Sequence, residues 1–187
     1  MITVIFIKMF EKIETEIEGL FIIKPKVLKD KRGLFIKLFH SKLFEDLGLR
    51  SDFEEEYYST SAKGVVRGLH FQIPPMQHVK CVTCLKGEIF DVVVDLRKSS
   101  KTFGKHVSIN LKSDEPTFLY IPEGMAHGFM SLTDDTIFLN KATTVFDAEC
   151  DTGILWSSCG IKWPDLPVIL SQKDENMIPF EKYDSPF

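Results

Sequence analysis

Residues 64–97 read GVVRGLHFQIPPMQHVKCVTCLKGEIFDVVVDLR, and this stretch decides the fold class. Arg67, Gly68 and His70 stand at the head of its most strand-like part. Pro74 and Pro75 break the run, a second run carries Lys80, and after Gly87 the chain resumes as Glu88-Ile-Phe-Asp-Val-Val-Val-Asp95. Valine, isoleucine and phenylalanine dominate and turn residues recur at short intervals, which predicts several short strands rather than a helix. A histidine and a lysine set among apolar strand residues cost free energy unless they are paired or at work. His70 and Lys80 are therefore the first candidate functional groups.

Working outward, 187 residues suit one domain with a substantial core. Hydrophobic residues are 44% and charged residues 27%, an ordinary globular composition that indicates neither disorder nor a membrane protein. The formal net charge of -4 gives no reason to expect a nucleic-acid partner. The opening MITVIFIKMF is too short an apolar run for a membrane span, is interrupted by Lys8, and lacks a small-residue cleavage site. We read residues 1–15 as a leader or edge strand and expect a cytoplasmic protein. Cys81 and Cys84 form a C-x-x-C whose odd separation in a strand points the thiols to opposite faces, and no second pair completes a zinc site. The four cysteines read as buried free thiols.

Along the chain, Leu20–Pro25 and Leu34–Phe39 read as strands around an Asp30-Lys-Arg-Gly33 turn. Ser41–Leu49 has apolar residues at helical spacing behind an N-cap serine, predicting a short helix. Ser51–Tyr57 carries four acids and reads for most of its length as a solvated loop. Phe118–Met130 contains Pro122-Glu-Gly-Met-Ala-His127, a strand delivering a tight turn and then a histidine. Strands near 104–111, 137–146 and 153–156 follow, and the proline-bearing segment 165–187 reads as an irregular wrap. Many short strands with turns every 8 to 12 residues predict a sandwich, jelly roll or barrel.

The two histidine-bearing runs share a layout of strand, glycine turn, histidine and strand, which is the pattern of the cupin double-sheet barrel. The usual cupin metal set needs a His-x-His pair in the first run. Here His70 is followed by Phe71 and Gln72, so a metal-free site without cofactor is expected. GVVRGLHFQ, Lys80, GEIFDVVVDLR, Thr102-Phe-Gly104, IPEGMAHGF and Leu170-Ser-Gln-Lys-Asp174 together resemble the dTDP-4-dehydrorhamnose 3,5-epimerase family of metal-free cupins, in order over about residues 16–180. The resemblance implies an all-β, cupin-type jelly-roll barrel with short peripheral helices in a single domain over 1–187. It also implies a homodimer whose N-terminal strands cross to the partner, and a nucleotide-linked 4-keto-6-deoxy sugar as substrate.

In that chemistry the ketone at carbon 4 acidifies the protons on carbons 3 and 5. A base removes one, a cation steadies the enolate oxygen, and an acid across the ring returns a proton. By resemblance His70 is the base, Asp174 the carboxylate that orients it, and Lys80 the cation. Arg67, whose planar fork suits a diphosphate, and His127 are expected to bind substrate. Ser59, Gln72, Arg32 and Lys173 also match positions near the ligand, and Phe146 falls where an aromatic ring stacks on the nucleobase.

The chain departs from the family in three places that matter, one of them Lys37, where the family usually has an acidic residue. Where the family carries its acidic tyrosine before the lysine of a Phe-Leu-Tyr-Lys run, this chain reads Phe138-Leu-Asn140-Lys141. An amide cannot deliver a proton in a phenol's place, so Asn140 predicts inversion at carbon 3 alone. Where the family often has Gln and Asn ahead of the RGLH block, this chain has Glu55 and Tyr57. These changes leave a full 3,5-epimerase and a GDP-linked 4-keto-heptose epimerase as alternatives. A ketoisomerase is disfavoured because only His70 and the displaced His78 lie near that strand. A non-catalytic sugar-nucleotide-binding cupin is disfavoured by the joint presence of His70, Lys80 and Asp174.

Overall fold

The structure is a computed structural model and describes residues 4–7 and 9–187. The opening residues 1–3 and Lys8, part of the expected leader strand, lie outside the described residues. The chain forms two antiparallel sheets facing each other, the double-sheet barrel of the cupin type. One sheet has seven strands in the order β1 (Val4–Ile7), β2 (Phe10–Glu14), β3 (Phe21–Pro25), β11 (Phe118–Ile121), β8 (Lys80–Lys86), β13 (Thr136–Ala142), β6 (Glu55–Ser61). The other has five, β10 (His106–Lys112), β9 (Glu88–Asp95), β12 (Met125–Ser131), β7 (Val66–Gln72), β14 (Asp151–Gly153). A separate hairpin joins β4 (Val27–Asp30) to β5 (Gly33–Ile36). The helices are short: α1 (Ser41–Asp46), α2 (Gln172–Glu175) and a 3-10 turn at Phe180–Lys182. Among the described residues no helix is long and apolar enough to cross a membrane.

The period-two alternation of strands divides the side chains among three apolar layers. Val82, Cys84, Ile89, Val93, Leu119, Phe129 and Phe138 meet between the sheets. Cys81 instead joins Phe10, Phe44, Leu47 and Tyr120 on the outer face of the seven-stranded sheet, beneath α1. The two thiols of the C-x-x-C thus sit on opposite sides of β8, and burial pushes Cys81 up to about 12 and Cys84 to about 11. On the outer face of the five-stranded sheet Leu69, Phe71, Val92, Val94 and Leu96 are covered by Trp163, Phe180, Tyr183 and Phe187 from the last part of the chain. Phe71 meets Tyr183 edge-on at 5.4 Å, an arrangement worth about 0.5–1.5 kcal/mol beyond its buried area.

Two local expectations are corrected. His40, not Ser41, occupies the N-cap of α1, and no side chain caps that end. The helix is held instead by Phe44, fully buried against Phe10, Phe39 and Phe53. The acidic run read as a solvated loop passes at Glu55 into β6, which pairs with β13 along its whole length from Ser61↔Thr136 to Glu55↔Ala142. As the edge strand of its sheet, β6 tolerates charge on its solvent side.

Candidate active site

The inward rows that are polar rather than apolar converge on one cavity of about 590 Å³ between the two sheets. From the five-stranded sheet come Arg67, His70 and Gln72 of β7 and His127 of β12. From the seven-stranded sheet come Lys80 of β8, Asn140 of β13 and Glu55, Tyr57 and Ser59 of β6. Phe129 and Phe138, stacked at 4.4 Å, close its inner end where the apolar interior begins. Lys173 and Asp174 of α2 and Phe146 complete the lining.

Close approach of β7 and β12 sets the two histidines side by side, with His127 opposite His70 in register and an irregularity just beyond. A Cβ on Gly68 would stand 2.6 Å from the Gly128 Cα, and one on Gly128 would stand 2.6 Å from the Arg67 carbonyl oxygen. Gly68 also has φ +130°, a conformation open to glycine. The glycines of the RGLH and AHGF blocks are thus the contact that positions the histidines.

His70 Nε2 lies 2.5 Å from Asp174 Oδ1. Asp174 belongs to the one-turn α2, whose Ser171 cap accepts the Asp174 N–H at 3.1 Å, and it is buried rather than a surface cap. Burial alone would raise its carboxyl. The His70 ring, Ser171 and Lys173 outweigh that and hold it below the usual range, so it is an anion at neutral pH. An anion there fixes the imidazole with its proton on Nε2 and leaves Nδ1 to take one. Lys80 Nζ donates to the His70 carbonyl at 3.3 Å, which sets the amine beside His70. Desolvation lowers Lys80 to about 8, against the opposing pull of Asp151 and Asp91.

His127 Nε2 stands 3.0 Å from each oxygen of Asp91, and both residues are buried. Burial raises Asp91 above the normal carboxylate range, with His127 and Lys80 acting against it. Arg67 reaches across to the other sheet, where its Nε donates to Ser61 Oγ at 3.1 Å and its Nη2 to the Thr60 carbonyl at 3.0 Å. Lys173 forms an ion pair with Asp151 at the cavity wall. Phe146, 59% exposed, presents a ring at the rim.

Two residues behave differently from expectation. Gln72 lines the cavity, but its Nε2 donates to the Met76 and Val145 carbonyls and its Oε1 accepts the Asp147 N–H at 2.7 Å. Its amide therefore holds the loop carrying Phe146 in place. Arg32 is not brought to the cavity of its own chain: it sits on the β4–β5 hairpin, paired with Asp30 at 2.6 Å and exposed. Sequence reasoning gave no role to Asp91, Asp151 or His78. His78 is lowered to about 3 by burial first, then by the Lys80 and His127 charges, so it is neutral. Asp91 carried a usable signal: it is the lone acid within Ile89–Val94, at the same parity as the inward-facing Ile89 and Val93.

An imidazole paired with a buried carboxylate, a desolvated lysine beside it and a polar cavity between the sheets are an arrangement able to move protons next to a carbonyl. The model of the dTDP-4-dehydrorhamnose 3,5-epimerase family matches residues 14–182. The chain belongs to that family. It is similar to the dTDP-4-dehydrorhamnose 3,5-epimerase of Shigella flexneri, 46% identical over 167 residues that cover 88% of this chain and 92% of that one. Among solved structures it resembles the dTDP-6-deoxy-D-glucose-3,5-epimerase of Legionella pneumophila in complex with dTDP-4-keto-L-rhamnose. There the TM-score is 0.88 at 36% identity, covering 98% of this chain and 95% of that one. It also resembles a 3'-monoepimerase of Streptomyces bikiniensis in complex with dTDP-quinovose, with TM-score 0.84 at 28% identity, covering 88% and 85%. As a member of this epimerase family the chain is an enzyme of the isomerase class.

Proposed function

We propose that this chain epimerises a dTDP-linked 4-keto-6-deoxy sugar at carbon 3 by removing the proton beside the ketone. The observation that carries the reading is the His70–Asp174 pair opening on the cavity with Lys80 beside it. Nδ1 of His70 takes the proton from carbon 3 while the C–H electron pair moves into the enolate. The Lys80 ammonium steadies the oxygen that becomes negative, a contribution of a few kcal/mol in a water-poor site (about 2.7–4 for one comparable donor). Protonation from the opposite face completes the inversion. Arg67, with its fork at the edge of the cavity, is suited to the diphosphate, and the exposed Phe146 ring to the thymine. Relatives named for dTDP sugars support thymidine over guanosine. Inversion, at carbon 3 and at carbon 5 alike, needs a proton donor on the face of the sugar opposite His70.

Proton NMR of dTDP-4-keto-6-deoxyglucose incubated with the protein in deuterium oxide tests this. The expected result is deuterium at carbon 3 with inversion there, and loss of that exchange by at least ~100-fold in His70→Asn. Inverted product with no solvent deuterium, or exchange undiminished in His70→Asn, would exclude the mechanism.

A further inference from the structure

The reaction needs a proton donor on the side of the sugar away from His70, and Asn140 cannot be one. Asn140 is 1% exposed, and neither its Nδ2 nor its Oδ1 makes a well-formed hydrogen bond, although the amide stands near enough to the Tyr57 hydroxyl to favour its anion. Directly across the sheet from it in register stands Tyr57. Cross-strand partners share a face, and both residues line the cavity. Among the described residues lining that cavity, Tyr57 is the one phenol. It belongs to β6 of the seven-stranded sheet, whereas His70 belongs to β7 of the five-stranded sheet, so the two approach a ligand between the sheets from opposite walls. The departures at 57 and 140, separate in the sequence, are one cross-strand pair.

Resting on the reading of the cavity as an epimerase site, we propose that Tyr57 is the general acid that protonates the enolate on the face opposite His70, with Asn140 as its positioning residue. In the step the phenol O–H bond breaks, the enolate electron pair forms the new C–H bond, and the phenolate keeps the charge. The free Asn140 Nδ2–H is placed to donate to that phenolate. Tyr57 is 47% exposed, so water at the mouth returns its proton, and the proton on His70 leaves to solvent. Burial first, then the Glu55 and Asp151 carboxylates, hold the phenol above its ordinary value, with only Asn140 opposing, and it keeps its proton at neutral pH. With this donor in place the reason to restrict the enzyme to carbon 3 is removed, and inversion at both carbons 3 and 5 is expected.

The test separates proton removal from inversion. Wild type, Tyr57→Phe and Tyr57→Phe/Asn140→Tyr are each incubated with dTDP-4-keto-6-deoxyglucose in deuterium oxide and followed by proton NMR. Wild type is expected to take up deuterium and invert both carbons. Tyr57→Phe is expected to keep exchanging deuterium through His70 with the original configuration, its inversion slowed by ~100-fold or more. The double variant is expected to regain inversion by carrying the phenol on the neighbouring strand. Tyr57→Phe inverting at the wild-type rate overturns the proposal and leaves the epimerase reading standing. Exchange and inversion falling together, without recovery in the double variant, assign Tyr57 a structural role and also overturn it. Wild type showing no exchange overturns the epimerase reading and this proposal with it.

Discussion

Lys80 is asked to do two incompatible things, and pH separates them. In the proposed reaction it must be charged to steady the enolate oxygen, yet its burial favours the neutral amine and brings it to about 8. Activity that needs the ammonium therefore declines as pH rises through about 8. Stability moves the other way. The folded-state value lies below the ordinary lysine value of 10.5, so below about 8 both states hold the proton and the charge is carried at full cost. Between about 8 and 10.5 the unfolded chain keeps the proton that the folded chain has lost, and stability rises with pH. The shift corresponds to about 3 kcal/mol across that window. We expect kcat/KM to fall and the urea midpoint, taken relative to Lys80→Met, to rise between pH 7.5 and 9.5. Parallel decline of both would show that Lys80 does not titrate there.

At the scale of elements, the site depends on how closely β7 and β12 pass. Ala in place of Gly128 puts a methyl 2.6 Å from a backbone oxygen, and Ala in place of Gly68 adds an unfavourable φ to a similar clash. Overpacking of this kind costs about 1–3 kcal/mol. Both variants are expected to unfold at lower urea, Gly68→Ala lower still, with kcat reduced because His70 and His127 move apart. Wild-type midpoints in both would mean the strands separate freely. Much of this framework was legible in the sequence. β7, β8, β9 and β12 are short runs rich in apolar residues between turn residues, buried on both faces, which marks them as strands and places His70, Lys80 and His127 within them. β6 was not legible, for a physical reason. Its outward residues Glu56, Tyr58 and Thr60 meet solvent, while its inward residues Glu55, Tyr57 and Ser59 meet a polar cavity. With neither face apolar, no hydrophobic alternation marks it as a strand. Asp174 and Arg67 were placed by resemblance alone, because a one-turn helix more than 100 residues after His70 leaves no local signal of the contact.

At the scale of the whole molecule, the β4–β5 hairpin stands apart from both sheets and leaves apolar side chains uncovered. Among the described strands it pairs with neither sheet. Val27, Leu28, Leu34 and Phe35 are all exposed, Phe35 by 60%, and Arg32 at the turn pairs with Asp30 in solvent, outside the cavity lining. A contiguous apolar arm of this kind marks an association surface. The resemblance leads us to expect a homodimer, and we propose that the arm packs against a second copy of this chain. In such a dimer, any role of Arg32 in substrate binding would be at the cavity of the other copy. Light scattering on the purified protein is then expected to give twice the 21.4 kDa of one chain, and Phe35→Glu to return it toward the single-chain mass with its β-sheet circular dichroism intact. Arg32→Ala, with its mass unchanged, is expected to raise KM with little effect on kcat. A wild-type mass of one chain would remove the partner, and an unaltered KM in Arg32→Ala would leave the hairpin arginine without a part in binding.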